Sequence, residues 1–215
     1  MHYKSHYKNH YKNARDRAWE YLIRHRARSL PIDVLAFCKK DGITVLPYSA
    51  REARQLAAIL RAEDLMRRTD GFAVSVGKET VIFYDDACTP QRQRFTIAHE
   101  IGHIMIGDVG PVPTQRNAEP SAKDDPKEQA ANVFASRILA PACVLWALKV
   151  QDAEKLAELC DISITAARYR CARMSLLYER EKDFMVRYGK SCFLMSPLER
   201  KVYKRFRRYI RSVHL

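Results

Sequence analysis

The sequence predicts an α+β fold, built as a helix, a small and mainly antiparallel sheet, and then several more helices. Two observations carry that reading. Strand-like apolar runs fall together in the first half of the chain, at Ile43–Tyr48, Gly71–Val76 and Thr80–Tyr84, whereas helical spacing of apolar residues dominates from Thr89 onward. The composition also suits a packed core: 215 residues, 47% of them apolar and 10% aromatic, exclude global disorder. Only 7 Gly and 9 Pro exclude a collagen-like or low-complexity chain.

Taken in order, the chain opens with HYKSHYKNHYKN, three copies of a four-residue unit. This stretch has no apolar face to dock, so residues 1–18 read as a basic, poorly ordered arm, with folded sequence beginning near Trp19. His2, His6 and His10 would share one face if the arm were helical, a spacing able to bind metal adventitiously. Leu30-Pro31-Ile32-Asp33 reads as a helix start, and Asp41-Gly42 as its end. A strand over Ile43–Tyr48 precedes a helix over 51–68, marked by Leu56, Ile59, Leu60 and Leu65. The two strands that follow are separated by Gly77-Lys-Glu, which suits a hairpin. Thr89 is a candidate N-cap with Pro90 at the first helical position, and Gly107-Asp108 closes that helix. Residues 108–124 are rich in Gly, Pro and Asn and read as a loop, and Asp125-Pro126 starts another helix that ends at Leu139 before Pro141. Two further segments stand out: a helix-turn-helix-like stretch at 152–174 and a basic amphipathic helix at 199–215. The main folded body is therefore expected over residues 19–198.

Charge is unevenly spread. Of the net +13, residues 1–30 contribute +6 and residues 199–215 another +6, leaving +1 for the body. Basic ends of this kind make nucleic acid, a membrane surface or an acidic partner candidates, against the plainer reading of solvated tails. No apolar run approaches the roughly 18 residues of a membrane span, and no export signal is visible, so the expected location is the cytoplasm. The six cysteines lack C-x-x-C spacing, which fits reduced thiols used as small core residues.

The chemistry-bearing segment is Arg94-Phe95-Thr96-Ile97-Ala98-His99-Glu100-Ile101-Gly102-His103, which contains H-E-x-x-H within a pattern that independently reads as helix. Residues i and i+4 of a helix stack on one face, so His99 and His103 can point imidazole nitrogens at one zinc ion. Glu100 is rotated by about 100° from His99, beside the metal rather than on it, where it can accept a proton from water. A catalytic zinc takes three protein ligands and leaves a fourth position for water. The metzincin extension would need Gly at position 106 and His at 109, whereas the chain has Ile106 and Val109. Downstream carboxylates are Asp108, Glu119, Asp124, Asp125 and Glu128. Glu128 is favoured, because Asn132 follows one turn later and can orient a ligating histidine. Its position in Asp125-Pro126-Lys127-Glu128 equally fits a first-turn carboxylate serving the helix N-terminus, and spacing alone leaves both readings open.

RFTIAHEIGH followed about 25 residues later by E-x-x-A-N-x-F-A-S-x-I-L-A-P resembles the ImmA/IrrE family of metallo-endopeptidases, over roughly residues 31–175. Pro31-Ile-Asp-Val and Gly71-Phe-Ala-Val belong to the same match. The resemblance implies a zincin-like domain with a gluzincin-like site: His99, His103 and Glu128 as zinc ligands and Glu100 as the catalytic base. The family often shows E-x-E-A-N, and here the second acid is Ala130. It also implies a substrate, a helix-turn-helix repressor encoded nearby, whose cleavage relieves repression on a mobile element or in a stress response. The segment at 152–174 is similar to one found in the family, with scaffold, repressor-docking and DNA-binding roles all open. The competing functional class is a DNA-binding regulatory or toxin–antitoxin protein whose zinc site is structural or inactive. Sequence does not reveal the oligomeric state, the cleavage site or an oxyanion-stabilising residue.

Overall fold

The computed structural model describes residues 2–113, 125–188 and 196–213. In chain order the elements are α1 (His2–Arg24), α2 (Val34–Asp41), β1 (Ile43–Pro47), α3 (Arg51–Ile59), α4 (Glu63–Arg68), β2 (Gly71–Val76), β3 (Glu79–Tyr84), α5 (Pro90–Ile106), α6 (Pro126–Leu139), α7 (Ala142–Ala147), α8 (Ala153–Cys160), α9 (Ile164–Tyr188) and α10 (Pro197–Val213). The chain divides into two compact units, residues 1–18 with 33–136, and residues 19–32 with 137–215. The unit boundaries fall inside α1 and α6.

The first unit is built around a three-stranded sheet in the order β1-β3-β2. β2 and β3 form the expected hairpin, antiparallel in register from Gly71↔Tyr84 to Val76↔Glu79, with Gly77 at φ 63° in the turn. β1 pairs with β3 in parallel, from Ile43↔Thr80 to Pro47↔Tyr84, so the sheet is mixed rather than mainly antiparallel. The chain from β1 to β3 runs through α3, α4 and β2, and the β2–β3 hairpin reverses its direction so that β3 lies parallel to β1. Alternation along the strands puts Phe72, Val74, Val81 and Phe83 on one face, where they form a core with Ala53, Ala57, Ala62 and Leu65 of the α3–α4 region. The Phe72 and Phe83 rings stack at 4.6 Å between centroids. α5 packs against β2, β3 and α2.

Three helix ends follow the chemistry of their residues. Asp33 caps α2, its carboxylate accepting from Ala36 N at 2.9 Å, and Gly42 closes it in the left-handed region. The helix expected over 51–68 is broken in two. Arg61 adopts φ 53° and Ala62 N donates to Ala57 O, a Schellman turn that ends α3 and buries Ala62. Apolar spacing continued through the break because both short helices bury residues in one core.

α1 starts at His2, within the stretch that the sequence reads as a basic arm. The stretch contains no Pro or Gly, and Ala14 and Ala18 are fully buried, so the helix continues from a packed C-terminal half. The side chains of His2, His6 and His10 lie outside the described residues.

In the second unit α8 packs on α9, and α7 on α9 and α10. Asp161, at φ 49°, ends α8, and Ile162 N donates to Ala157 O; Ser163 then caps α9 through Oγ at 3.2 Å from Ala166 N. Two helices joined by a short turn thus occupy the stretch read as helix-turn-helix-like at 152–174, with α9 running on to Tyr188. The Tyr178 hydroxyl donates to the carbonyls of Leu145 at 3.3 Å and Val150 at 3.2 Å, tying α9 to the end of α7. Pro126–Ala147 has the length and mean hydropathy (1.4) of a membrane span, but 67% of it is buried and it is interrupted between α6 and α7. The sequence reading found no apolar run of that length, and these are core helices whose apolar character serves packing.

Candidate active site

The site belongs wholly to the first unit. Its framework is the close approach of α5 and α6. Gly102 makes this possible: a Cβ there would lie 3.0 Å from Ala131 Cα and 3.1 Å from Ala131 O. The glycine inside H-E-x-x-H is therefore where the histidine-bearing helix meets the helix that carries Glu128. On the sheet side Gly71 does the same for α5, since a Cβ would meet Thr96 Cγ2 at 2.4 Å and Phe83 O at 2.7 Å. At Gly71 there is no room for a Cβ, whereas at Gly102 a Cβ fits only if the two helices part by a few tenths of an ångström.

Three donor groups converge. His99 Nε2 and His103 Nε2 are 3.0 Å apart. Glu128 Oε2 lies 3.2 Å from His99 Nε2, and Glu128 Oε1 lies 3.2 Å from His103 Nε2. The site is sheltered: side-chain exposure is 15% for His99, 0% for His103 and 8% for Glu128. Glu100 is buried, and the donor atoms of His99, Glu100 and His103 fall within 4.8 Å of one another. Capping of α6 falls to Asp125, whose Oδ1 accepts from Lys127 N at 2.8 Å. The Glu128 carboxylate instead faces the histidine pair.

The outer nitrogens fix the tautomers. His99 Nδ1 is 3.0 Å from Asn132 Oδ1, and His103 Nδ1 is 3.2 Å from Asp108 Oδ2. Both partners are acceptors, so each Nδ1 carries the proton and each Nε2 presents a lone pair inward. Two lone pairs and a carboxylate pressed within 3.2 Å repel one another unless a cation lies among them. A tetrahedral site with bonds of about 2.0–2.2 Å has edges of about 3.3–3.6 Å, close to these separations. The residues therefore fit a zinc-like ion.

Where no metal ion is bound, a proton on an inward nitrogen relieves the same repulsion. Burial pushes Glu128 up, but hydrogen bonds and charge from His103 and His99 outweigh it and hold the carboxyl at about 2. Burial would lower His99, yet the Glu128 hydrogen bond and the Glu100 and Glu128 charges raise it overall. The pocket favours positive charge at the inward nitrogens.

Asp108 was considered in the sequence only as one of several downstream carboxylates, and its contact with His103 was missed. Its placement follows from the end of α5. Gly107 adopts φ 76°, Gly107 N donates to Ile104 O at 3.1 Å, and Asp108 N donates to His103 O at 2.9 Å. This is a Schellman turn, which folds the second residue beyond the helix back over its last turn. Histidine, then glycine four residues later, then an acid is the local signal that could have found it. Asp108 Oδ1 also pairs with Lys127 Nζ, which links the end of α5 to the residue before Glu128.

The comparisons with known proteins point the same way. Residues 51–172, more than half of the chain, match the Peptidase_M78 family model, described as the IrrE N-terminal-like domain. The radiation response metalloprotease IrrE of Deinococcus radiodurans is 40% identical over 70 residues, which cover 32% of this chain and 21% of that protein. The chain thus spans about a fifth of that relative's length. The helix pair bearing His99, Glu100, His103 and Glu128 lies inside the matched region. On this match the chain belongs to a metallopeptidase family, Peptidase_M78, through an IrrE N-terminal-like domain.

Proposed function

We propose that the chain is a zinc-dependent endopeptidase of gluzincin type, which cleaves a helix-turn-helix transcriptional repressor in the cytoplasm and so relieves repression. His99, His103 and Glu128 are the zinc ligands, Asn132 orients His99, and Glu100 is the catalytic base. The observation that carries this reading is the convergence of His99 Nε2, His103 Nε2 and the Glu128 carboxylate within 3.2 Å, with buried Glu100 beside them. Zinc supplies a Lewis acid that polarises a peptide carbonyl and acidifies water. Glu100 takes the proton of the attacking water on a carboxylate oxygen and then delivers it to the leaving amine nitrogen. Asn132 accepts from His99 Nδ1 and so keeps Nε2 free of a proton. The repressor as substrate rests on the family resemblance, and the printed name of the Deinococcus radiodurans relative supports a metalloprotease.

The test mixes the full chain with a helix-turn-helix repressor encoded in a neighbouring gene, where the genome holds one, and follows cleavage on a gel. Glu100→Gln keeps size and hydrogen bonding, so metal content is expected to stay while turnover falls by about 10²–10⁴. Glu128→Ala is expected to lose zinc and cleavage while keeping its fold. Full zinc occupancy in Glu128→Ala would remove it from the ligand set. Tight binding of repressor or DNA without cleavage by wild type would favour the regulatory alternative.

A further inference from the structure

The surface of α10 divides into two opposed faces. Val202, Phe206 and Ile210 recur every four residues and are buried. Lys201, Lys204, Arg205, Arg207, Arg208 and Arg211 are all exposed. At about 100° per residue the cations occupy an arc of roughly 160°, centred opposite the buried stripe. The acid of this helix, Glu199, is half-buried, and its carboxylate faces Ser196 N at 3.4 Å at the helix start. The helix is thus a cationic rod fastened to its unit by its apolar side.

We infer that this face of α10 binds the sugar–phosphate backbone of a nucleic-acid duplex, without base readout. The fastening selects this occupant over a membrane, because an interfacial helix must insert its apolar face into lipid, and that face is already buried. Four of the six cations are arginines, whose planar forks suit phosphate oxygens. From Lys201 to Arg211 the rod is about 15 Å long at 1.5 Å per residue. Duplex DNA carries one charge per about 1.7 Å of axis, so about nine phosphates lie along that length and about half can face the rod. Four or so contacts match the number of cations that one side of α10 can offer.

The experiment titrates a fluorescent DNA duplex of about 30 base pairs with the zinc-loaded full chain at several salt concentrations. Vesicles of phosphatidylcholine with phosphatidylserine and a poly-glutamate peptide serve as parallel probes. The first thirty residues are also basic, so the readout is the difference between wild type and variants of α10. Arg207→Gln combined with Arg208→Gln and Arg211→Gln removes three contacts, and the slope of log K against log salt should become shallower by about 2.7. The matching triple lysine variant keeps charge and should keep most of the slope. Thermal unfolding checks that each variant is folded, as expected for exposed positions. An unchanged slope in the folded glutamine variant overturns the inference. So does equal or tighter binding of vesicles or poly-glutamate at the same salt.

Discussion

Replacing Gly102 with alanine should separate metal affinity from stability. The new Cβ would sit 3.0 Å from Ala131 Cα, 3.1 Å from Ala131 O and 3.3 Å from Ala131 Cβ. Carbon atoms settle at about 3.5–4.0 Å, so α5 and α6 must part by about half an ångström. Overpacking of that kind costs about 1–3 kcal/mol. Exchanging glycine for alanine inside a helix returns about 1 kcal/mol. The net loss is therefore about 0–2 kcal/mol, a fall in melting temperature of at most about 8 °C for a chain of this size. Glu128 stands three residues before Ala131 on α6 and moves with it. Metal sites hold their bond lengths to about 0.2 Å, so a half-ångström shift of one ligand should cost at least about tenfold in zinc affinity. The assay is zinc competition against a chromophoric chelator, with calorimetry of the metal-free chain alongside. Unchanged zinc affinity would refute the idea that this approach positions Glu128. Loss of the metal-free fold would refute the stability arithmetic.

Two further outcomes are expected. Asp108→Ala frees the His103 ring to turn and should lower zinc affinity 10–100-fold, whereas Asp108→Asn, which still offers an oxygen to Nδ1, should recover part of it; equal chelator competition by wild type and both variants would rule out the orienting contact. Deleting residues 1–18 removes the fully buried Ala14 and Ala18 and should lower the melting temperature by about 3–6 °C, at about 0.8 kcal/mol per buried methyl group; a calorimetric trace identical to wild type would show that this half of α1 is dispensable.

The legible parts of the fold were those with local causes. Asp33 and Gly42 bracket α2, and Thr89 with Pro90 opens α5, because caps act within a few residues. The β2–β3 hairpin was visible in its Gly77 turn. Parallel pairing of β1 with β3 was not, since it joins residues more than thirty positions apart and leaves no local pattern. The helical start of α1 was not legible because its polar N-terminal half shows no apolar stripe, while the buried residues of the helix, from Ala14 onward, lie beyond the repeat. The break at Arg61 was hidden because a non-glycine residue makes the left-handed turn there.

For the site, the sequence by itself determined the residue types and the helical phase. His99 and His103 four apart on one helix must share a face, and Glu100 must stand beside it, whatever surrounds them. The family resemblance added Glu128, which spacing alone left divided between ligand and helix start. Only the tertiary structure decided where that carboxylate points. Gly102 lets α5 close on Ala131, and the closure brings Glu128 to 3.2 Å from both inward nitrogens. It also decided the outer shell, Asn132 on His99 and Asp108 on His103. The physical reason is range: periodicity and capping act over one or two turns, whereas the donor cluster joins residues 25 to 29 positions apart, and that separation is closed only by packing.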